Sequence, residues 1–101
     1  MAVLDYVLGE ERSRLKRYQS HLEEDAAGLP KGSISIKIKS NHPYAYLTFR
    51  EGGRVISKYI GPAESPAVSE LSVKIGDRRR IVKELQAVKA ELRRIERMLR
   101  V

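Results

Sequence analysis

Residues 31–61 read KGSISIKIKSNHPYAYLTFREGGRVISKYIG. Within them Ile34, Ile36 and Ile38 alternate with Ser35, Lys37 and Lys39. Beyond Ser40-Asn41-His42-Pro43, the residues Tyr44, Tyr46, Thr48 and Arg50 alternate with Ala45, Leu47 and Phe49. A period of two marks a strand that turns one face to a core and the other to water. Glu51-Gly52-Gly53-Arg54 supplies the glycines that a tight hairpin needs for positive φ, and residues 55–60 return as a third strand. The stretch therefore predicts a three-stranded antiparallel meander, with residues 40–43 as its first turn.

With Gly52-Gly53 as a two-residue loop, Phe49 faces Ile56, Ala45 faces Ile60 and Tyr46 faces Tyr59; a three-residue loop shifts that register. The isoleucines, Leu47 and Phe49 are expected to lie against helices. On this reading Ile36, Leu47, Phe49 and Ile56 are buried, while Lys37, Lys39 and Tyr46 stay accessible. Lys58, opposite Leu47, breaks the pattern and has to snorkel from the sheet edge.

Both flanks of the meander change period. From residue 3 to 27, Leu4, Leu8, Leu15, Tyr18 and Leu22 fall at steps of three and four once Glu11 is allowed into the stripe, which predicts an amphipathic helix supported by Glu10 and Arg14. Gly28 and Pro30 end it. Gly61-Pro62 closes the meander, and Ser65-Pro66 combines an N-cap serine with a first-turn proline. A long helix over 65–100 follows. Its stripe, Leu71, Ile75, Arg78, Val82, Leu85, Val88, Leu92, Ile95 and Leu99, has a mean step of about 3.5 residues, the coiled-coil period. Since residues 3–27 are too short to cover all of it, a homodimer through this helix is expected. The fold class is thus α+β in one domain, 1–101: N-terminal helix, three-stranded antiparallel β-meander, and a long C-terminal coiled-coil-like helix.

The chain has 101 residues and no cysteine, which rules out disulfides, thiolate metal sites and cysteine nucleophiles. The N-terminus lacks the basic start of a signal peptide and no apolar run approaches the roughly 20 residues of a membrane span, so a cytoplasmic protein without membrane contact is expected. His21 and His42 lie in different elements without metal-ligand spacing. No phosphate-binding glycine loop exists, and the carboxylates are spread along helices beside bases. Neither an enzyme nor a cofactor is expected.

The net charge of +7 is unevenly placed. Residues 1–29 carry four bases and six acids, residues 30–62 six bases and one acid, and residues 63–101 ten bases and six acids. In the meander the bases are Lys31, Lys37, Lys39, Arg50, Arg54 and Lys58, interleaved with Tyr44, Tyr46 and Tyr59. Cations meet phosphates and tyrosine rings meet the flat faces of bases, so this stretch is the predicted contact with DNA or RNA. Arg78, Arg79 and Arg80, with Lys74 and Lys83 about a turn away, form a second basic cluster. Each feature also has a plainer reading. Tyrosine is a good strand former, strand lysines protect edges from aggregation, and an arginine run is commonly a solvated helix face.

LPKGS at 29–33 and YAYLTFREGGRVISKYIG at 44–61, followed by a basic tail, resemble a group of small bacterial and mobile-element proteins with a YxYLxxREGGxVxSKYIG hairpin. The hairpin is broadly similar to DNA-associated hairpins of recombinase and transposon proteins, and no catalytic residue carries over. The resemblance implies a nucleic-acid-binding protein. Its rival from another class is a protein-interaction module, such as a phage or mobile-element accessory or inhibitor protein that docks a partner in a nucleoprotein or defence complex.

Overall fold

The computed structural model describes residues 3–99, in the order α1 (Val3–Ala27), β1 (Ser33–Lys39), β2 (His42–Glu51), β3 (Arg54–Pro62) and α2 (Pro66–Leu99). This is the expected α+β arrangement. Position 100, the expected end of the long helix, lies outside the described residues. No described helix is long and apolar enough to cross a membrane. The chain forms two compact units, one made of α1 with α2 from Arg79 onward, the other of residues 29–78.

In the helical unit α1 runs antiparallel to the second half of α2: Arg12 reaches Glu96 at 3.7 Å, while Tyr18, further along α1, donates to Glu84, further back on α2. Between these contacts Leu15 and Leu22 pack with Val88, Leu92 and Ile95, and Leu8, Tyr18, Ile81, Leu85 and Leu99 close around them. The α2 contribution steps strictly by four and three because Ile81, and not Val82, enters the core. Leu4, expected in the α1 stripe, is exposed, and Arg14 pairs with Glu11, its Nε at 2.9 Å, rather than with Glu10. The stretch of the stripe from Ile81 to Leu99 is thus covered within one chain.

The sheet has the order β1-β2-β3, both pairs antiparallel. Two-residue hairpins with the strand twist need positive φ at both loop positions. Ser40 and Asn41 adopt 51° and 64°, and Gly52 and Gly53 adopt 57° and 78°. The first turn is therefore shorter than the four residues expected, and His42 and Pro43 belong to β2. Pro43 costs no ladder bond there: β3 pairs with β2 only from Tyr44 onward, and the Pro43 carbonyl accepts from the Ala63 N–H at 3.1 Å. Phe49 faces Ile56, Tyr46 faces Tyr59 and Leu47 faces Lys58, as the two-residue loop requires. Ala45, however, faces Gly61, not Ile60, because a bulge between Ala45 and Tyr46 leaves Ile60 as the extra residue.

Register sorts the side chains onto two faces. One holds Ile34, Ile36, Ile38, Pro43, Ala45, Leu47, Phe49, Glu51, Arg54, Ile56 and Lys58; the other holds Ser33, Ser35, Lys37, Lys39, His42, Tyr44, Tyr46, Thr48, Arg50, Val55, Ser57 and Tyr59. The buried apolar side chains of this unit are Ala45, Val68 and Ile75, while Leu47, Phe49 and Ile56 are half-buried. Ile36, expected to be buried, is 52% exposed, and Ile38 is 74% exposed. Alternation fixes which face a side chain takes. Covering that face needs a second layer reaching the edge strand, and along β1 burial fades from Ile34 outward.

Candidate nucleic-acid interface

The face opposite the isoleucines gathers six of the twelve basic and tyrosine residues singled out above. On β1 stand Lys37 and Lys39, on β2 Tyr44, Tyr46 and Arg50, and on β3 Tyr59. The rings form one cluster. Tyr59 meets Tyr46 edge-on at 5.4 Å between centroids and meets Tyr44 tilted at 6.1 Å. Such geometry sets the positive edge of one ring against the negative face of the next. Both lysines of β1 lean across it, with Nζ at 4.7 Å (Lys37) and 5.6 Å (Lys39) from the Tyr46 ring centroid. The ammonium groups are thereby drawn over the middle of the sheet while their residues stay exposed.

Hydroxyls surround this basic and aromatic centre. Ser35 Oγ lies 2.9 Å from Thr48 Oγ1, and Ser33 and Ser57 share the face. His42, opposite Lys39, also belongs here. Reading it as a turn residue hid it; counting the alternation back from Tyr44 would have placed it. No position of the face just described is Asp or Glu.

The other six expected contact residues lie elsewhere. Lys58 sits on the isoleucine face, its Nζ 5.6 Å from the Phe49 centroid, so it snorkels along the ring as anticipated. Lys31 and Lys58 line a shallow hollow with Pro30, Leu47, Phe49 and Glu51. Arg54 is at the hairpin end, opposite Glu51. Arg78 is half-buried on α2 and ends the sheet-bearing unit; Arg79 and Arg80 are exposed and belong to the helical unit. The arginine run is therefore one helix segment with unequal exposure.

Among the described residues no three His, Asp or Glu side chains are grouped to hold a metal ion. Two groups on α1 have their ionisation moved by their surroundings. Tyr18 is raised above the ordinary tyrosine value, first by its hydrogen bond to Glu84 and then by desolvation. Arg14 is raised by its hydrogen bond to Glu11 and that carboxylate's charge. What the sheet face offers a ligand is lysine and arginine side chains beside a cluster of tyrosine rings.

No curated protein and no solved structure matches the chain. A family model does match, over residues 8–70, taking in most of α1, the whole meander and the first residues of α2. Covering well over half of the 101 residues, that match makes the chain a member of the family described as a domain of unknown function, DUF6788.

Proposed function

We propose that this protein is a non-enzymatic, cytoplasmic nucleic-acid-binding protein whose contact surface is the tyrosine-bearing face of the meander. One observation carries the reading: Lys37, Lys39, Arg50 and His42 share a sheet face with Tyr44, Tyr46 and Tyr59, and no carboxylate stands among them. Polyanions bind such a face by releasing counterions, and strands are a known means of entering a groove of duplex DNA. Phosphate contact supplies most of the affinity on this reading. The Tyr44 and Tyr46 rings are half-buried in contacts with Tyr59 and the lysines, whereas Tyr59, at 56% exposure, retains ring surface for a base. Lys31, Arg54, Lys58 and the arginines of α2 are secondary contacts.

Salt titration of binding to labelled duplex and single-stranded oligonucleotides tests it. Each phosphate contact contributes about −0.7 to −0.9 to the slope of log affinity against log salt. Lys37→Ala, Lys39→Ala and Arg50→Ala combined should flatten that slope by about two to three such contacts. Tyr59→Ala should lower single-strand affinity by about 1–3 kcal/mol while leaving the slope unchanged, because a ring releases no counterion. Absence of binding to any DNA or RNA at about 50 mM salt would reject the reading. That outcome would favour the partner-docking module, for which exposed Ile36 and Ile38 speak.

A further inference from the structure

The meander has two edges, and they differ. β3 carries the marks of a protected edge: a bulge at Ile60, Pro62 at its end, and Lys58 on the apolar face. β1 has none of these. Its seven residues, SISIKIK, contain neither proline nor bulge, and Ile36 and Ile38 stand 52% and 74% exposed beside the open edge. Lysines normally guard such an edge. Here the Lys37 and Lys39 ammonium groups turn inward over Tyr46 of β2, leaving the outer side of β1 unguarded.

The backbone of that outer side follows from the turn. In a two-residue hairpin the pair flanking the loop, Lys39 and His42, is hydrogen-bonded, and bonded pairs then alternate along the ladder. Ser33, Ser35, Lys37 and Lys39 therefore direct their N–H and C=O groups to β2. Ile34, Ile36 and Ile38 direct theirs outward, where no described strand receives them. The outward backbone groups thus belong to the three isoleucines, and two of these, Ile36 and Ile38, also have exposed side chains.

We infer that β1 pairs with β1 of a second copy of this chain, antiparallel and centred on Ile36, joining two meanders into a six-stranded sheet. The sequence is self-complementary in that register. Ile36 faces the partner's Ile36 and Ile34 faces the partner's Ile38, so the outward backbone groups bond to one another and six isoleucines form one apolar band. On the other face Ser35 meets the partner's Lys37 and Ser33 meets the partner's Lys39. No lysine directly opposes a lysine. Sliding by one pair either sets Lys37 against the partner's Lys37 or runs Lys39 out against the partner's Lys31, both like-charge contacts. The centred register alone uses all seven residues without such a clash, and its two-fold symmetry closes the assembly as a dimer. This inference stands independently of nucleic-acid binding.

The absence of cysteine makes the test direct. Across the symmetry axis a bonded antiparallel pair has Cα atoms about 5.5 Å apart, within the range a disulfide spans. Mild oxidation of an Ile36→Cys variant should yield a covalent dimer, whereas Ser57→Cys on β3 should stay monomeric. In light scattering at about 100 μM the unmodified chain should weigh twice 11.5 kDa. Ile36→Lys, at a site exposed enough to accept the charge, should halve that mass, with an unchanged circular dichroism spectrum showing that the fold is kept. Three results would each overturn the inference: a monomeric mass for the unmodified chain, Ile36→Cys cross-linking no faster than Ser57→Cys, or a folded Ile36→Lys protein that keeps the doubled mass.

Discussion

The helical unit and the sheet-bearing unit use apolar side chains in opposite ways. In the first, Leu15, Leu22, Val88, Leu92 and Ile95 are buried, and charged pairs such as Arg12 with Glu96 sit at the margin. In the second, the only buried residue on either face of the meander other than glycine is Ala45; Leu47, Phe49 and Ile56 are half-buried and Ile38 is open. Apolar burial is the main force favouring the folded chain, so the helix pair holds the larger share of stability per residue. The sheet displays its side chains, which is what a contact surface requires.

The greatest damage should follow from a charge placed in the helical core. Leu92→Asp buries a carboxylate without a partner and should cost more than about 3 kcal/mol in urea unfolding followed by circular dichroism. Cavities separate the two units more finely. Ile95, 3% exposed, should cost about 2–5 kcal/mol as Ile95→Ala. Phe49→Ala should cost only about 1–2 kcal/mol, short of the about 3–5 kcal/mol of an enclosed ring, because the Phe49 ring is half-buried. Should Phe49→Ala prove as costly as Ile95→Ala, the contrast between the units fails.

Within the sheet, backbone geometry outweighs side-chain burial at one place. Gly32 has φ +117°, and a Cβ there would lie 2.5 Å from the Thr48 carbonyl oxygen. Gly32→Ala should therefore cost about 1–3 kcal/mol although only a methyl group is added. A neutral result would mean that the start of β1 shifts freely.

The smallest effect concerns pH. Tyr18 donates to Glu84 as the neutral phenol, and this bond raises its ionisation above the ordinary value near 10. The contribution is complete below about pH 10 and is lost as pH rises through the raised folded value. Tyr18→Phe should lose this small contribution at neutral pH and flatten the fall in stability above about pH 10, so that the two proteins converge at high pH. An alkaline slope identical in the two proteins would remove Tyr18 from the helix–helix contact.

Most of the fold was legible because periodicity and turn chemistry agreed. The steps of α1 and the Gly28 stop marked out residues 3–27, and Gly52-Gly53 set the register that places Phe49 opposite Ile56 and Tyr46 opposite Tyr59. What escaped the sequence has physical reasons. Pro43 reads as a strand breaker, yet it sits where β3 supplies no partner for an N–H. Ile81 and Val82 are equally apolar neighbours, so only packing chooses between them. The bulge at Ile60 is a property of how β2 and β3 pair, which the alternation within either strand does not carry. For the interface, alternation alone gathered Lys37, Lys39, Tyr44, Tyr46, Arg50 and Tyr59 on one face. Lys58 and Arg54 were grouped with them by charge, although parity puts both on the other side.

That division of the sheet into a contact face and an apolar face is tested most directly by amide chemical-shift mapping of the 11.5 kDa chain during titration with a short DNA duplex. The largest shifts should fall on Lys37, Lys39, His42, Tyr44, Tyr46, Arg50 and Tyr59, with little change at Leu15, Leu22, Val88 or Ile95. Shifts confined to the helices, or centred on Lys31, Phe49 and Lys58 with the tyrosine face unmoved, would contradict it.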